Sequence, residues 1–169
     1  FNSPHGACPA CHGLGFREEI DPELIVPDGS LSIDQGALLP YGGWDSSSYL
    51  EQVIQAISDR YNIDTELPWA LLPEEQRNLY LYGTGPDRLD LRYRNYEGRW
   101  RHYAAHWHGI VSYLKRRLAE TDSEYVRQKI EEYVSQVPCP ECKGARLKPA
   151  SLAITVGERN IHEFTLLSV

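Results

Sequence analysis

Apolar residues recur along this chain with two different periods. Over "SSSYLEQVIQAISDRYNI", Leu50, Val53, Ile54 and Ile57 follow the i, i+3, i+4, i+7 spacing of one helical face, and a serine from 46–48 is placed to cap its start. "LLPEEQRNLYLYG" predicts a shorter helix, with Pro73 near its first turn, acids behind it and Gly83 as its stop. "GIVSYLKRRLAE" predicts a third, with Ile110, Leu114 and Leu118 on one stripe. "TDSEYVRQKIEEYVSQV" predicts a fourth, whose stripe is Val126, Ile130, Tyr133, Val134 and Val137. Thr121 and Glu124 fit a capping box there, and Pro138 ends the pattern.

Between these helices the period drops to two. Leu89, Leu91 and Tyr93 alternate with Arg88, Asp90, Arg92 and Arg94, the pattern of a half-buried strand, and residues 95–98 suit the turn of a hairpin. A four-residue loop sets Arg94 opposite Arg99 and Arg92 opposite Arg101, so that four arginines share one face. Such crowding destabilises a sheet unless an anion or an acidic partner relieves it. Residues 18–43 read as a turn-rich connection, and "LAITVGERNIHEFTLLSV" as a strand, a glycine turn and the start of a helix.

Two outlying segments carry a different chemistry. "CPACHGLG" and "CPECKGAR" hold the chain's only four cysteines, Cys8, Cys11, Cys139 and Cys142, with 127 residues between Cys11 and Cys139. Two CxxC knuckles supply four thiolates, the donor set of a tetrahedral structural zinc site, and leave no open position for catalysis. Gly13, Gly15 and Gly144 allow the backbone to turn tightly around the sulfurs. A reactive dithiol and unrelated free cysteines are the alternatives. His5 and His12 flank the first knuckle as surface or supporting residues. Closing so long a loop costs least if its ends already lie together. The expected fold class is therefore α+β: a small zinc-knuckle base in two halves, 1–17 and 138–169, around an inserted helical subdomain, 18–137, that contains a β-hairpin.

Charge changes the picture locally. The net charge is -7 over 169 residues, which argues against a general polyanion binder. The bases are concentrated, however: residues 77–117 hold 9 bases and 3 acids, whereas residues 1–76 hold 2 bases and 13 acids. Arg92, Arg94, Arg99, Arg101, Lys115, Arg116 and Arg117 are interleaved with Tyr93, Tyr96, Trp100, Tyr103, Trp107 and Tyr113, a pattern suited to phosphates and exposed bases. The competing reading is a solvated hairpin face with ordinary core aromatics, Trp100 and Trp107 among them. No apolar run approaches the length of a membrane span. The opening residues lack a basic start and an apolar stretch, so a reducing cytoplasm is the expected compartment. The absence of methionine suggests an excerpt of a longer protein. No GK[ST] phosphate loop, GxSxG or HExxH occurs, and nothing in the chain argues for catalysis by itself.

The segments "FNSPHGACPACHGLGF" and "PCPECKGARLKPASLAITVGERNIHEFTLLSV" resemble the first-half zinc module of the UvrA family, the damage-sensing subunit of the bacterial UvrABC nucleotide excision repair system. "GIVSYLKRRLAETDSEYVRQKIEEYVSQVPCPEC" resembles that family's insertion domain and its return into the zinc module, while the likeness is weaker from about 45 to 80. The resemblance implies zinc on Cys8, Cys11, Cys139 and Cys142. It also implies an insertion domain over 18–137 beside the DNA path. The parent would be an ABC-type ATPase that dimerises on DNA and loads the partner UvrB, with ATP bound only by parts of the parent outside this chain. Two other classes compete. One is a protein-interaction insert whose arginines meet an acidic partner surface. The other is a chaperone zinc module of the DnaJ type, which needs about four CxxCxGxG repeats where this chain has one full and one partial copy.

Overall fold

The computed structural model describes residues 5–42, 48–94 and 99–167, without the side chains of 41, 42, 48, 93 and 94. Its backbone divides into two compact units, one of residues 1–19 with 135–169, the other of residues 20–134.

In chain order the elements are β1 (Phe16–Ile20), α1 (Pro22–Ile25), α2 (Leu39–Gly42), α3 (Ser48–Tyr61), a 3-10 turn (Trp69–Leu71), α4 (Glu74–Leu81), β2 (Arg88–Arg94) and β3 (Trp100–His106). They continue with α5 (Gly109–Glu120), α6 (Glu124–Glu131), β4 (Val134–Pro138), α7 (Pro149–Leu152), β5 (Thr155–Val156), β6 (Arg159–Asn160) and α8 (Ile161–Thr165). Three two-stranded sheets form: β1 with β4, β2 with β3, and β5 with β6. The class is α+β, as the periodicities predict.

The unit of residues 20–134 is built on the helical stripes. Leu50, Val53, Ile54 and Ile57 of α3 are buried with Ile110 and Leu114 of α5, Ile130 of α6 and Leu89 and Leu91 of β2. Tyr80 is fully buried, and its hydroxyl is paired with Ser58 Oγ at 2.9 Å, which in turn donates to the Ile54 carbonyl. Trp107 is also buried and donates its indole N–H to the Tyr80 carbonyl at 3.3 Å. The polar tips of Tyr80 and Trp107 are thus satisfied inside the core, as burial requires. The C-terminal end of α4 and the start of α5 approach so closely that only glycine fits. Gly83 and Gly109 hold φ of +105° and +90°, and a Cβ on either would collide with the Trp107 or the Leu81 carbonyl oxygen respectively.

The fourth predicted helix is shorter than its stripe. α6 stops at Glu131, and Val134–Pro138 is a strand whose partner is β1. The ribbon is closed by hydrogen bonds from Asp21 N to Tyr133 O and from Cys139 N to Gly15 O. Val134 and Val137 satisfy a helical stripe and a β-branched strand equally well, and pairing with residues more than a hundred positions away decides between them. The start also differs: Ser123 caps α6 by accepting from Val126 N, while Thr121 accepts from Ser123 N. A full capping box occurs instead at α8, between Asn160 and Glu163. The turn-rich connection contains the end of β1 and the two short helices α1 and α2, α1 being capped by Asp21. Serines 46 and 47 and the hairpin turn 95–98 lie outside the described residues, and α3 begins at Ser48.

Candidate metal centre and nucleic-acid interface

The two cysteine knuckles fold alike. His12 and Lys143 both hold φ of 50°, Gly13 and Gly144 hold 84° and 91°, and Gly15 and Arg146 hold 85° and 67°. In each knuckle the residue four past the second cysteine donates its N–H to that sulfur, Gly15 to Cys11 Sγ at 3.2 Å and Arg146 to Cys142 Sγ at 3.3 Å. Leu14 N to Cys11 O and Ala145 N to Cys142 O repeat the pattern on the backbone. The knuckles are then stitched reciprocally: Cys8 N donates to Arg146 O, and Cys139 N to Gly15 O, each at 2.9 Å. Equivalent positions exchange equivalent bonds, so the two motifs form one site with a local two-fold character.

The four sulfurs lie within 4.8 Å of one another. Cys11 Sγ and Cys142 Sγ are 3.7 Å apart, close to the edge of about 3.8 Å that a tetrahedron with Zn–S bonds of about 2.3 Å requires. Cys8, Cys11 and Cys139 are buried and form a cluster of their own, with Ala10 and Cys142 packed against it among the described residues. Burial resists ionisation of Cys11, but the Gly15 and Gly13 N–H groups and the neighbouring thiols outweigh it and lower this thiol to about 7. Burial pushes Cys142 up to about 11. Of these two thiols, Cys11 therefore ionises the more readily. This donor set fits a soft, four-coordinate metal ion. His5 and His12 are exposed and are not among the clustered ligands.

The hairpin differs from its sequence reading in register. Arg92 pairs with His102, Tyr93 with Arg101 and Arg94 with Trp100, so five residues rather than four separate the strands. A slip of one residue moves a whole strand's side chains to the other face. The four arginines consequently do not share a face: the positions of Arg92 and Arg94 alternate with Leu91 on β2, while Arg101 lies on the side of Leu91 and Tyr103, and Arg99 precedes β3. What the register does bring together is a basic distal end, because Arg92, Arg94, Arg99 and Arg101 all lie within three positions of the turn. Arg92, Arg99 and Arg101 are exposed. Farther down, Arg88 Nε donates to His106 Nε2 at 3.1 Å, His106 stacks with His108 at 6.4 Å, and His102 approaches Asp90 at 3.4 Å. The three histidines therefore lie in two separate sets of contacts.

On α5, Lys115 and Arg116 are exposed, and Arg116 reaches Glu120 at 4.0 Å. Arg117 instead lies over the Tyr113 ring and donates to its hydroxyl at 2.6 Å. Three consecutive helical residues cannot share one face, at about 100° each. Of the two tryptophans read as core, Trp107 is 4% exposed, but Trp100 is 65% exposed. Alternation alone could not separate them, because β3 is exposed along nearly its whole length.

Among known proteins, the family model described as the UvrA DNA-binding domain matches residues 21–132. UvrABC system protein A of Streptomyces avermitilis is 43% identical over all 169 residues, which cover 17% of that protein. The protein of the same name from Bacillus subtilis is 41% identical over the full chain, covering 18% of its own length. Of solved structures, UvrA2 from Deinococcus radiodurans matches with a TM-score of 0.65 at 26% identity, over 96% of this chain and 20% of that one. The chain thus spans about a fifth of the proteins it matches, and the match runs through both cysteine knuckles and everything between them. The chain belongs to the UvrA family.

Proposed function

We propose that the chain is the zinc-held insertion portion of a UvrA-type nucleotide excision repair protein, and that its inserted unit contacts or guides duplex DNA. The observation that carries this reading is the coincidence of the family's DNA-binding model, over residues 21–132, with the one strongly basic stretch of an otherwise acidic chain. Arg92, Arg94, Arg99 and Arg101 at the distal end of the hairpin, with Lys115, Arg116 and Arg117 on α5, are the candidate phosphate contacts. Contacts of this kind fix position on a duplex without reading its sequence. Zinc is the ion that Cys8, Cys11, Cys139 and Cys142 hold, and its role is structural. Residues 1–17 and 138–169 are the two halves of the zinc module, with residues 18–137 inserted between them. ATP hydrolysis, dimerisation and delivery to UvrB belong to the longer parent, since the chain carries no GK[ST] phosphate loop.

Replacing Arg92, Arg94, Arg99 and Arg101 together by glutamine tests the reading. Each lost phosphate contact lowers the steepness of log K against log salt by about 0.9, so loss of all four lowers it by about 3 to 4. An unchanged affinity and slope would remove the hairpin from the DNA interface and favour an acidic protein partner instead.

A further inference from the structure

A groove of about 490 Å³ runs between the flank of α3 and the outward face of the hairpin. Gln52, Gln55 and Ala56 form one wall, and Asp90, Arg92 and Trp100 the other. Its size falls within the range of about 300–1,000 Å³ typical of small-ligand sites. Trp100 is the unusual member. Tryptophan is ordinarily well buried, yet this one is 65% exposed, and its side chain makes no ring contact or hydrogen bond among the described residues. The Arg92 side chain likewise has no ion pair or hydrogen bond among them. Across the groove, Gln52 lines the opposite wall, and its Oε1 is buried with no hydrogen-bond partner among the described residues. Gln55 already uses its Nε2 to hold Asp59, at 2.8 Å. A flat aromatic face, a cation beside it, and amide and carboxylate groups at the margins match a planar heterocycle that bears both donors and acceptors and is joined to a phosphate.

We propose that this groove takes one unstacked nucleobase of DNA, with the base on the Trp100 ring, its polar edge toward Gln52 and Asp90, and a flanking phosphate on Arg92. The inference rests on the DNA reading above and adds to it a direct contact with one exposed base. A base inside a duplex has both faces covered by its neighbours, so a lone aromatic platform can receive only a base that is extrahelical or single-stranded. Trp100 opens β3 directly beside the basic end of the hairpin, where phosphate contacts would bring such a base within reach.

The test uses the 169-residue chain and two duplexes containing 2-aminopurine, one with it as a single extrahelical bulge and one with it fully paired. Stacking on an indole quenches this fluorophore. Binding is expected to quench the bulged probe and not the paired one. Trp100→Ala should abolish the quenching and weaken binding of the bulged duplex on the order of tenfold, with paired-duplex affinity unchanged. Trp100→Phe, which keeps an aromatic face, should retain most of both effects and shows that the alanine result is not misfolding. Tight binding of the bulged probe without quenching, or equal quenching by Trp100→Ala, overturns the nucleobase groove while leaving the DNA reading intact. Failure to bind either duplex overturns both.

Discussion

At the scale of single residues, backbone conformation decides which side chains the molecule tolerates. Gly109 holds φ of +90°, and a Cβ there would meet the Leu81 carbonyl, whereas Gly36 holds the same φ with nothing within 4 Å. Gly109→Ala is expected to destabilise the unit of residues 20–134 by at least ~2 kcal/mol, because it combines the left-handed penalty with a backbone collision. Gly36→Ala should cost only the conformational part, roughly 1 kcal/mol. Thermal denaturation of both variants measures the difference, and equal losses would mean that the close approach of α4 and α5 is not tight. A parallel contrast holds in the knuckles. A Cβ on Gly15 would lie 2.8 Å from Arg146 Cγ and 3.0 Å from Gly144 O, so Gly15→Ala should be damaging. Arg146 occupies the equivalent position at φ 67° without glycine, so Arg146→Gly should change stability by no more than about 1 kcal/mol. The glycines after each CxxC are visible in the sequence. That Arg146 stands in the conformation of a glycine is not, because only folding shows which positions correspond.

At the scale of elements, what could be read depended on whether the deciding contacts were local. The stripes of α3, α4 and α5 are local, and the sequence places those helices within a few residues of where they form. β4 is the counterexample: Val134 and Val137 continue the stripe of α6, and only the distant β1 draws them into a strand. The hairpin was legible as alternation, but its register depends on the loop length, and one extra residue redistributed its arginines between two faces. The same extra residue leaves Arg94 opposite Trp100. The packing of α3 against α4 also fixes a pH response. Burial raises the Tyr80 hydroxyl to about 12, against an ordinary value of about 10. A raised folded-state pKa means that the folded form holds its proton longer than the unfolded chain. This contribution is therefore complete below about pH 10 and is lost as pH rises toward 12. Alkaline denaturation followed by tyrosine absorbance should show Tyr80 ionising together with unfolding, and Tyr80→Phe should flatten the fall in stability over that interval. An unchanged profile in Tyr80→Phe would place the alkaline sensitivity elsewhere.

At the scale of the whole molecule, the two units rest on different physics. The unit of residues 20–134 has a continuous apolar core of helices and hairpin. In the other, the buried cluster is the cysteines themselves, so a metal held by them would take the place of a core, as in small domains whose folding and metal binding are one event. Chelation at neutral pH should therefore abolish hydrogen-exchange protection at the knuckle amides of Cys8, Gly15, Cys139 and Arg146 while sparing those of α3 and α5. Metal analysis should find one zinc per chain, and a value near zero would remove the four-thiolate site. Because thiols must ionise to bind, zinc affinity should fall progressively as pH is lowered, and more steeply below about 7, where Cys11 also regains its proton.

The most direct measurement of all is a salt-titrated binding assay of this chain with duplex DNA, comparing wild type with the variant lacking Arg92, Arg94, Arg99 and Arg101. A zinc-pinned insert that meets DNA through the end of its hairpin predicts measurable low-salt affinity, a steep loss with salt, and a slope shallower by about 3 to 4 in the variant. Binding that is absent at low salt, or a slope that is the same in both proteins, would contradict it.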